Sequence, residues 1–269
     1  MTAQSLSEMR ELLQRHGLSA RKSLGQHFLA DPNLTRKVVA AAGVRPGDRV
    51  IEIGAGTGTL TRALTEVGAR VLALEVDSRL RPVLDETLFG LEVDLRYVDA
   101  RQFDFGSALT GRPWKLVSNL PYDVGTGLLL DLVRRADMID SFTVMVQTEV
   151  ARRLAATPGT ADYGLPSVIV GLHGVATRLF SVPPHVFYPP PRVESAVVGI
   201  HRQSSSGPVE RAIELAAAGF GQRRKMLRAS LRSLLSAPTV ALAAAGLDPT
   251  RRAESLSPAD FLRLAEAAP

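Results

Sequence analysis

Between Val50 and about Arg202, short runs of β-branched and aliphatic residues alternate with longer stretches whose apolar positions recur every three and four residues. Runs of the first kind suit strands and the longer stretches suit amphipathic helices. Strands are predicted at 49–53 (RVIEI), 70–75 (RVLALE), 94–99 (DLRYVD), 115–119 (KLVSN), 142–147 (FTVMVQ), 175–180 (VATRLF) and 195–202 (SAVVGIHR). Helices are predicted at about 7–16, 34–42, 60–67, 80–88, 127–135 and 148–156. This alternation predicts an α/β domain built on a largely parallel sheet.

The pattern changes at 203–208, where three serines, a glycine and a proline follow one another and neither period continues. Beyond it, Ala, Leu and Arg dominate with helical spacing over 209–219, 223–235, 239–245 and 258–267. The predicted organisation is a catalytic domain over 1–202, a linker over 203–208 and a small all-helical domain over 209–269. No internal repeat is visible.

Composition adds limits. With 45% hydrophobic and 22% charged residues, the chain resembles ordinary globular proteins and is expected to bury a core. No apolar run reaches the roughly 18 to 20 residues of a membrane span, and the N-terminus is polar, so a cytoplasmic protein is expected. Cysteine is absent and the five histidines lack metal-ligand spacing, so no metal is expected. A net charge of +5 favours a polyanionic partner, although the arginine-rich bias behind it also arises in GC-rich genomes.

The first strand runs into Glu52-Ile53-Gly54-Ala55-Gly56-Thr57-Gly58. Glycines there let the backbone turn sharply and approach a ligand. A dinucleotide loop reads GxGxxG, whereas GxGxG with an acid two residues ahead favours S-adenosylmethionine; a purely structural tight turn is the other reading. Glu75 ends the next strand, 21 residues after Gly54 and near the roughly 20 expected of an acid that holds ribose hydroxyls. Asp99 ends the third strand, where it is placed to accept from an adenine amino group or simply to face solvent.

The fourth strand leads directly into Asn119-Leu120-Pro121-Tyr122. Carboxyl ends of strands form the ligand crevice of an open α/β sheet, so this segment is expected beside the cofactor. An exocyclic adenine amine is a poor nucleophile because its lone pair is delocalised into the ring. The Asn119 side-chain oxygen and the Leu120 carbonyl can accept its hydrogens and free that pair. Pro121 fixes the turn, and Tyr122 supplies a face on which an extruded base can stack.

Further segments carry a family likeness: Gly25-Gln26-His27-Phe28-Leu29, EIGAGTGTLT (52–61), Asn119 to Tyr122, VQTEVARRL (146–154), FYPPPRVESAVV (187–198), FGQRRKMLRASL (220–231) and LDPTRRAESLS (247–257). With them the chain resembles the ribosomal RNA adenine dimethyltransferases of the KsgA/RsmA type over nearly its whole length. The resemblance implies a Rossmann-like class I methyltransferase sheet, S-adenosyl-L-methionine as cofactor, and dimethylation at N6 of two adjacent adenosines near the 3′ end of 16S rRNA. It further implies a monomer acting on small-subunit RNA within an assembling 30S particle. By position it makes Gln26, His27, Leu29, Gly54, Gly56, Glu75, Asp99 and Asn119 cofactor contacts. Asn119, Leu120, Pro121 and Tyr122 would hold the target base, with Phe187 stacking on its opposite face. The family usually has Asn where this chain has His27, whose imidazole can donate to the methionine carboxylate.

Arg224, Arg228 and Arg232 recur every four residues beside an apolar stripe through Leu227 and Leu231, so a helix over 223–235 would present one basic face. With Lys225 it is expected to dock on RNA; a merely solvated face is the alternative. Two rival functions stay open: an erythromycin-resistance type methylase of 23S rRNA, and a ribosome-assembly factor that kept the fold without catalysis.

Overall fold

The computed structural model describes residues 4–111, 113–204 and 206–268. Contacts divide the chain into two compact units, one of residues 1–151 with 177–201, the other of 152–176 with 202–269.

In the first unit, α1 (Leu6–Arg15) starts at a capping box in which the Ser5 side chain and Glu8 satisfy each other's backbone donors. After β1 (Phe28–Leu29) and α2 (Pro32–Ala41), strands and helices alternate: β2 (Arg49–Ile53), α3 (Thr59–Glu66), β3 (Arg70–Glu75), α4 (Arg81–Thr87), β4 (Val93–Tyr97), α5 (Phe105–Ala108), β5 (Trp114–Asn119), α6 (Gly125–Arg135) and β6 (Ile139–Gln147). Next come α7 (Thr148–Leu154), α8 (Leu165–His173), β7 (Gly174–Val182), β8 (Phe187–Tyr188) and β9 (Ser195–Arg202). The main sheet runs β4-β3-β2-β5-β6-β9-β7, with β2 to β6 parallel and β9 antiparallel to β6. Its middle strands are apolar on both faces because helices cover both: Val50, Ile51, Leu72, Leu74, Leu116 and Val144 are all buried. A ribbon of β1 and β8 stands apart, pairing Phe28 with Tyr188 and Leu29 with Phe187. Sheet order reverses between β2 and β5, since the chain builds outward from β2 to β3 and β4 before returning to β5. In open α/β sheets that reversal opens a crevice outside the carboxyl ends of the strands, here beyond Ile53, Glu75 and Asn119.

The second unit holds α8 with α9 (Val209–Gly221), α10 (Leu227–Ser230), α11 (Pro238–Ala244) and α12 (Pro258–Ala267). The sequence pattern missed α8, whose LPSVIVGLH is apolar all round and rich in β-branched residues. A helix of that kind lives where it is enclosed; Val168, Ile169, Val170 and Leu172 are buried, and α8 packs on α9 and α12. Contacts also group 152–176, which includes α8, with the C-terminal helices, so the second unit is not confined to the segment after 208. Residues 203, 204 and 206–208 of the expected linker form neither helix nor strand, and Ser205 lies outside the described residues.

The helix expected over 223–235 is replaced by turns around the single turn of α10. Met226 is extended (φ −65°, ψ 150°), and the next two backbone donors leave the segment: Leu227 N–H donates to the Arg251 carbonyl at 2.8 Å and Arg228 N–H to that of Pro249 at 3.2 Å. Donors spent on a neighbouring loop cannot close i to i−4 bonds. Arg224 therefore precedes the helical turn, Arg228 lies on it and Arg232 follows it, so the three share no helical stripe.

Candidate active site

The loop after β2 bends back on β3: the N–H groups of Gly54 and Ala55 both donate to the Leu74 carbonyl, at 2.7 and 3.1 Å. Gly56, at φ +58°, aims its N–H at Glu75 Oε2, 2.8 Å away, and a Cβ there would come within 3.0 Å of the Phe28 ring. Glycine is required twice over, for the left-handed backbone and for the close approach. The other oxygen of Glu75 accepts the Asp77 N–H at 2.8 Å. Glu75 is 4% exposed, and burial raises its pKa against the pull of those two N–H donors. Asp77, also buried, is clamped by Arg79 at 2.6 and 2.9 Å, which holds its carboxyl below the usual range.

One strand over, Asn119 at the end of β5 donates from Nδ2 to the His27 carbonyl at 2.9 Å. A carbonyl only accepts, so this bond also settles which end of the amide is which. The remaining atom, Oδ1, is buried without a hydrogen-bond partner. Native proteins rarely leave such an acceptor bare; the Tyr97 and Thr148 hydroxyls are buried in the same state. Tyr122 follows at the turn; its hydroxyl bonds the Ser195 hydroxyl and its ring stacks on His27 at 5.3 Å between centroids and 29° between planes. Burial raises the pKa of its phenol, opposed by the Ser195 bond. His27 is itself tethered, its Nδ1 lying 2.7 Å from the Pro189 carbonyl.

Three hollows meet at these residues. A mostly apolar cavity of about 240 Å³ is lined by Leu24, Ile53, Leu74, Val76, Val98 and Leu128, with Asp99 and Arg101 at its polar side. A narrow one of about 60 Å³ is lined by Gln26, His27, Phe28, Gly54, Gly56, Glu75 and Asn119 to Tyr122. A cleft of about 540 Å³ is lined by Lys22, His27, Tyr122, Gln147, Pro189 to Pro191 and Arg192. Gly54 and Pro121 line the first two, and His27 and Tyr122 the last two. Tyr122, the last residue of the 119–122 segment, thus lines both the narrow pocket and the cleft.

Of the residues singled out by sequence, Gly54, Gly56, Glu75, Asp99, Asn119, Leu120, Pro121, Tyr122, Gln26 and His27 line these hollows. The carboxylate of Asp99 is gripped by Arg101 at 2.6 to 3.1 Å, which lowers its pKa. Gln26 is occupied at both ends of its amide, donating to Asp77 at 3.1 Å and accepting the Arg21 N–H at 2.8 Å, so it braces the wall. Leu29 and Phe187 are not among the residues lining the three hollows. Phe28 and Leu29 both belong to the apolar core, and Phe28 also lines the narrow pocket. Phe187, paired to Leu29 and 1% exposed, lies in that same core. Sequence reading passed over Phe28, Asp77 and Pro189. The period of two along the strand would have found Phe28, but nothing in the sequence signals a backbone carbonyl 162 residues from the imidazole it holds. In the second unit, Arg224, Lys225, Arg228 and Arg232 are exposed and make no ion pair among the described residues.

A family model described as ribosomal RNA adenine dimethylase matches residues 17–268. The ribosomal RNA small subunit methyltransferase A of Phenylobacterium zucineum is 47% identical over 271 residues, covering 99% of this chain and 94% of its own length. That of Sinorhizobium medicae is 44% identical, covering 97% of each. Among solved structures, a dimethyladenosine transferase from Plasmodium falciparum matches with a TM-score of 0.75 at 24% identity, over 88% of this chain and 96% of its own. The 23S rRNA methyltransferase ErmE matches at 0.66 and 27% identity, over 90% and 99%.

Proposed function

Because this chain belongs to the ribosomal RNA adenine dimethylase family, we propose that it uses S-adenosylmethionine to dimethylate N6 of two adjacent adenosines near the 3′ end of small-subunit ribosomal RNA. The observation that carries this reading is the bare, buried Oδ1 of Asn119, a residue that lines the narrow pocket.

The residues fit the cofactor. The apolar cavity suits an adenine ring with Asp99 in reach of its amino group, Glu75 keeps lone pairs for ribose hydroxyls, and glycine at 56 leaves the floor open. When bound, S-adenosylmethionine supplies an electrophilic methyl group on a sulfonium sulfur. The chain's own part is to present the amine. Asn119 Oδ1 accepts one N6 hydrogen and the Leu120 carbonyl the other, which draws the lone pair out of the ring. That bond forms fully only as the nitrogen turns tetrahedral, so it favours the transition state over bound substrate. Tyr122, fixed by Ser195 and backed by His27 on one face, leaves its other face for the base. A singly methylated amine still has one hydrogen to offer, so a second transfer is permitted.

Arg224, Lys225, Arg228 and Arg232 serve in this reading as phosphate contacts on folded RNA, and the choice of two neighbouring adenosines falls to them, because a pocket that reads adenine alone cannot tell one from another. The protein acts as a monomer in the cytoplasm on an assembling 30S particle; among the described residues no helix is long and apolar enough to cross a membrane. Incubation with methyl-labelled cofactor and immature small subunits should give N6,N6-dimethyladenosine at adjacent positions near the RNA 3′ end. Label confined to 23S rRNA would transfer the reading to the erythromycin-resistance type, and no label on either RNA with cofactor bound would favour an assembly factor.

A further inference from the structure

The segment from Pro189 to Ser195 is fastened at its two ends to two different sheets. Before it, β8 pairs with β1, Tyr188 opposite Phe28. At its far end Ser195 opens β9 opposite Gln147, the last residue of β6, and the Glu194 carbonyl accepts the Thr148 N–H at 2.9 Å. Three consecutive prolines, 189 to 191, restrict the backbone between these anchors. This stiff segment grips the site at two points. The Pro189 carbonyl lies 2.7 Å from His27 Nδ1, and the Ser195 hydroxyl bonds that of Tyr122. The two rings so gripped are the pair that stack on each other at 5.3 Å between centroids.

Ser195 is out of character with its strand. It is wholly buried, and the residues after it, Ala196, Val197 and Val198, form a buried apolar run. A hydroxyl in such surroundings costs free energy unless it is paired, and its partner is the phenol of a residue 73 positions earlier. Burial raises the pKa of that phenol, so at neutral pH it keeps its proton. We infer that Ser195 is a positioning residue for methyl transfer: acting through the Tyr122 hydroxyl, it fixes the plane of the ring on which the target base stacks. The Pro189 carbonyl fixes the His27 ring that backs the same platform, so 189–195 works as a clamp with two jaws. The inference rests on the base-stacking role given to Tyr122 above. A ring held at its far end and against one face cannot swing, whereas a ring freed at the hydroxyl presents the base in many orientations, few of them productive for transfer.

Single-turnover methyl transfer to immature small subunits under saturating cofactor is measured for the wild type, Ser195→Ala, Tyr122→Phe and the double variant. Either single change breaks the same bond and leaves one buried hydroxyl unpaired, so each should slow transfer about tenfold. Affinity for S-adenosylmethionine, by calorimetry, and for RNA, by filter binding, should be unchanged. The double variant should be no slower than the slower single variant, because the bond can be lost only once. Ser195→Thr and Ser195→Val have nearly the same shape, and both β-branched side chains suit a strand. Thr keeps the hydroxyl and should restore transfer; Val should not. Losses that add in the double variant, equal rates in folded Thr and Val variants, or a loss confined to cofactor or RNA affinity overturns the inference and leaves the proposed function standing. A wild type that transfers no methyl group to either ribosomal RNA overturns that function and the inference with it.

Discussion

Glu75 and Asp77, at the end of β3, keep their carboxylates inside the protein with two or more donors on each, whereas Arg224, Lys225, Arg228 and Arg232 of the second unit carry charge into solvent with no ion pair among the described residues. Charge held in a protein interior acts through position, because a displaced atom leaves another buried group unsatisfied. Charge in solvent acts through number: each cation is screened and mobile, and what counts is how many phosphates are met. The first region should therefore respond steeply to single atoms and weakly to salt, and the second the other way round.

The steepest response expected belongs to Glu52, wholly buried behind the glycine loop, where burial and then the nearby Glu75 raise its carboxyl to about 8 while the Thr61 hydroxyl, donating at 2.6 Å, opposes the rise. A raised acid holds a proton in the folded chain that the unfolded chain gives up. Its stabilising contribution is complete below the unfolded value of 4.5 and is lost as pH climbs through about 8. Glu52→Gln keeps the neutral form and the Thr61 bond at every pH. It should gain roughly 3 kcal/mol or more over the wild type at pH 9 and little at pH 4, at about 1.4 kcal/mol per pKa unit. Urea unfolding across that range measures it, and parallel stability curves for the two proteins would mean that Glu52 is ionised in the fold.

Asn119→Ala removes the bare acceptor and should lower turnover about a hundredfold, or roughly 3 kcal/mol, with RNA affinity little changed. Single-turnover methyl transfer under saturating cofactor is the measurement. A rate within a few-fold of the wild type would strip Oδ1 of its role. Glu75→Ala should weaken cofactor binding by roughly 1.5 to 3 kcal/mol, the worth of a charge-assisted hydrogen bond, as read by calorimetry. Because the N–H groups of Gly56 and Asp77 lose their shared acceptor, the thermal midpoint should fall as well. Undiminished cofactor affinity in a folded variant would remove Glu75 from the ribose site.

How much of this was legible depended on whether a feature is set by neighbours along the chain. Gly54 to Gly58, Glu75, Asp99 and Asn119 sit at the ends of strands whose period shows in the sequence, and strand ends face the crevice of this sheet class. The interior of 258–267 was equally plain, its Ser257 cap and Asp260 forming a box within one turn. By contrast, 223–235 has helical spacing yet breaks, because Arg251 and Pro249 take two of its backbone donors. The α8 segment has no helical face to read since its partners enclose it. Phe187 carries an aromatic ring in a suggestive motif, but strand pairing with Leu29 points it into the core. Each of these features was decided by a distant partner, as was the tether of His27 to the Pro189 carbonyl.

The broken segment makes the last and smallest prediction sharper than a continuous stripe would. If Arg224, Arg228 and Arg232 shared one helical face, they would meet neighbouring phosphates as a unit and their losses would couple. They stand instead before, on and after a single turn. Independent sites add. Each change to Gln should flatten the dependence of log affinity on log salt by about 0.7 to 0.9, and the triple variant by roughly two to three, with cofactor affinity untouched. Filter binding of small-subunit RNA between about 50 and 200 mM salt reads the slope. An unchanged slope in the triple variant would make this a solvated surface, and a triple effect well beyond the sum of the singles would mean that RNA binding draws the segment into the continuous helix that the free protein lacks.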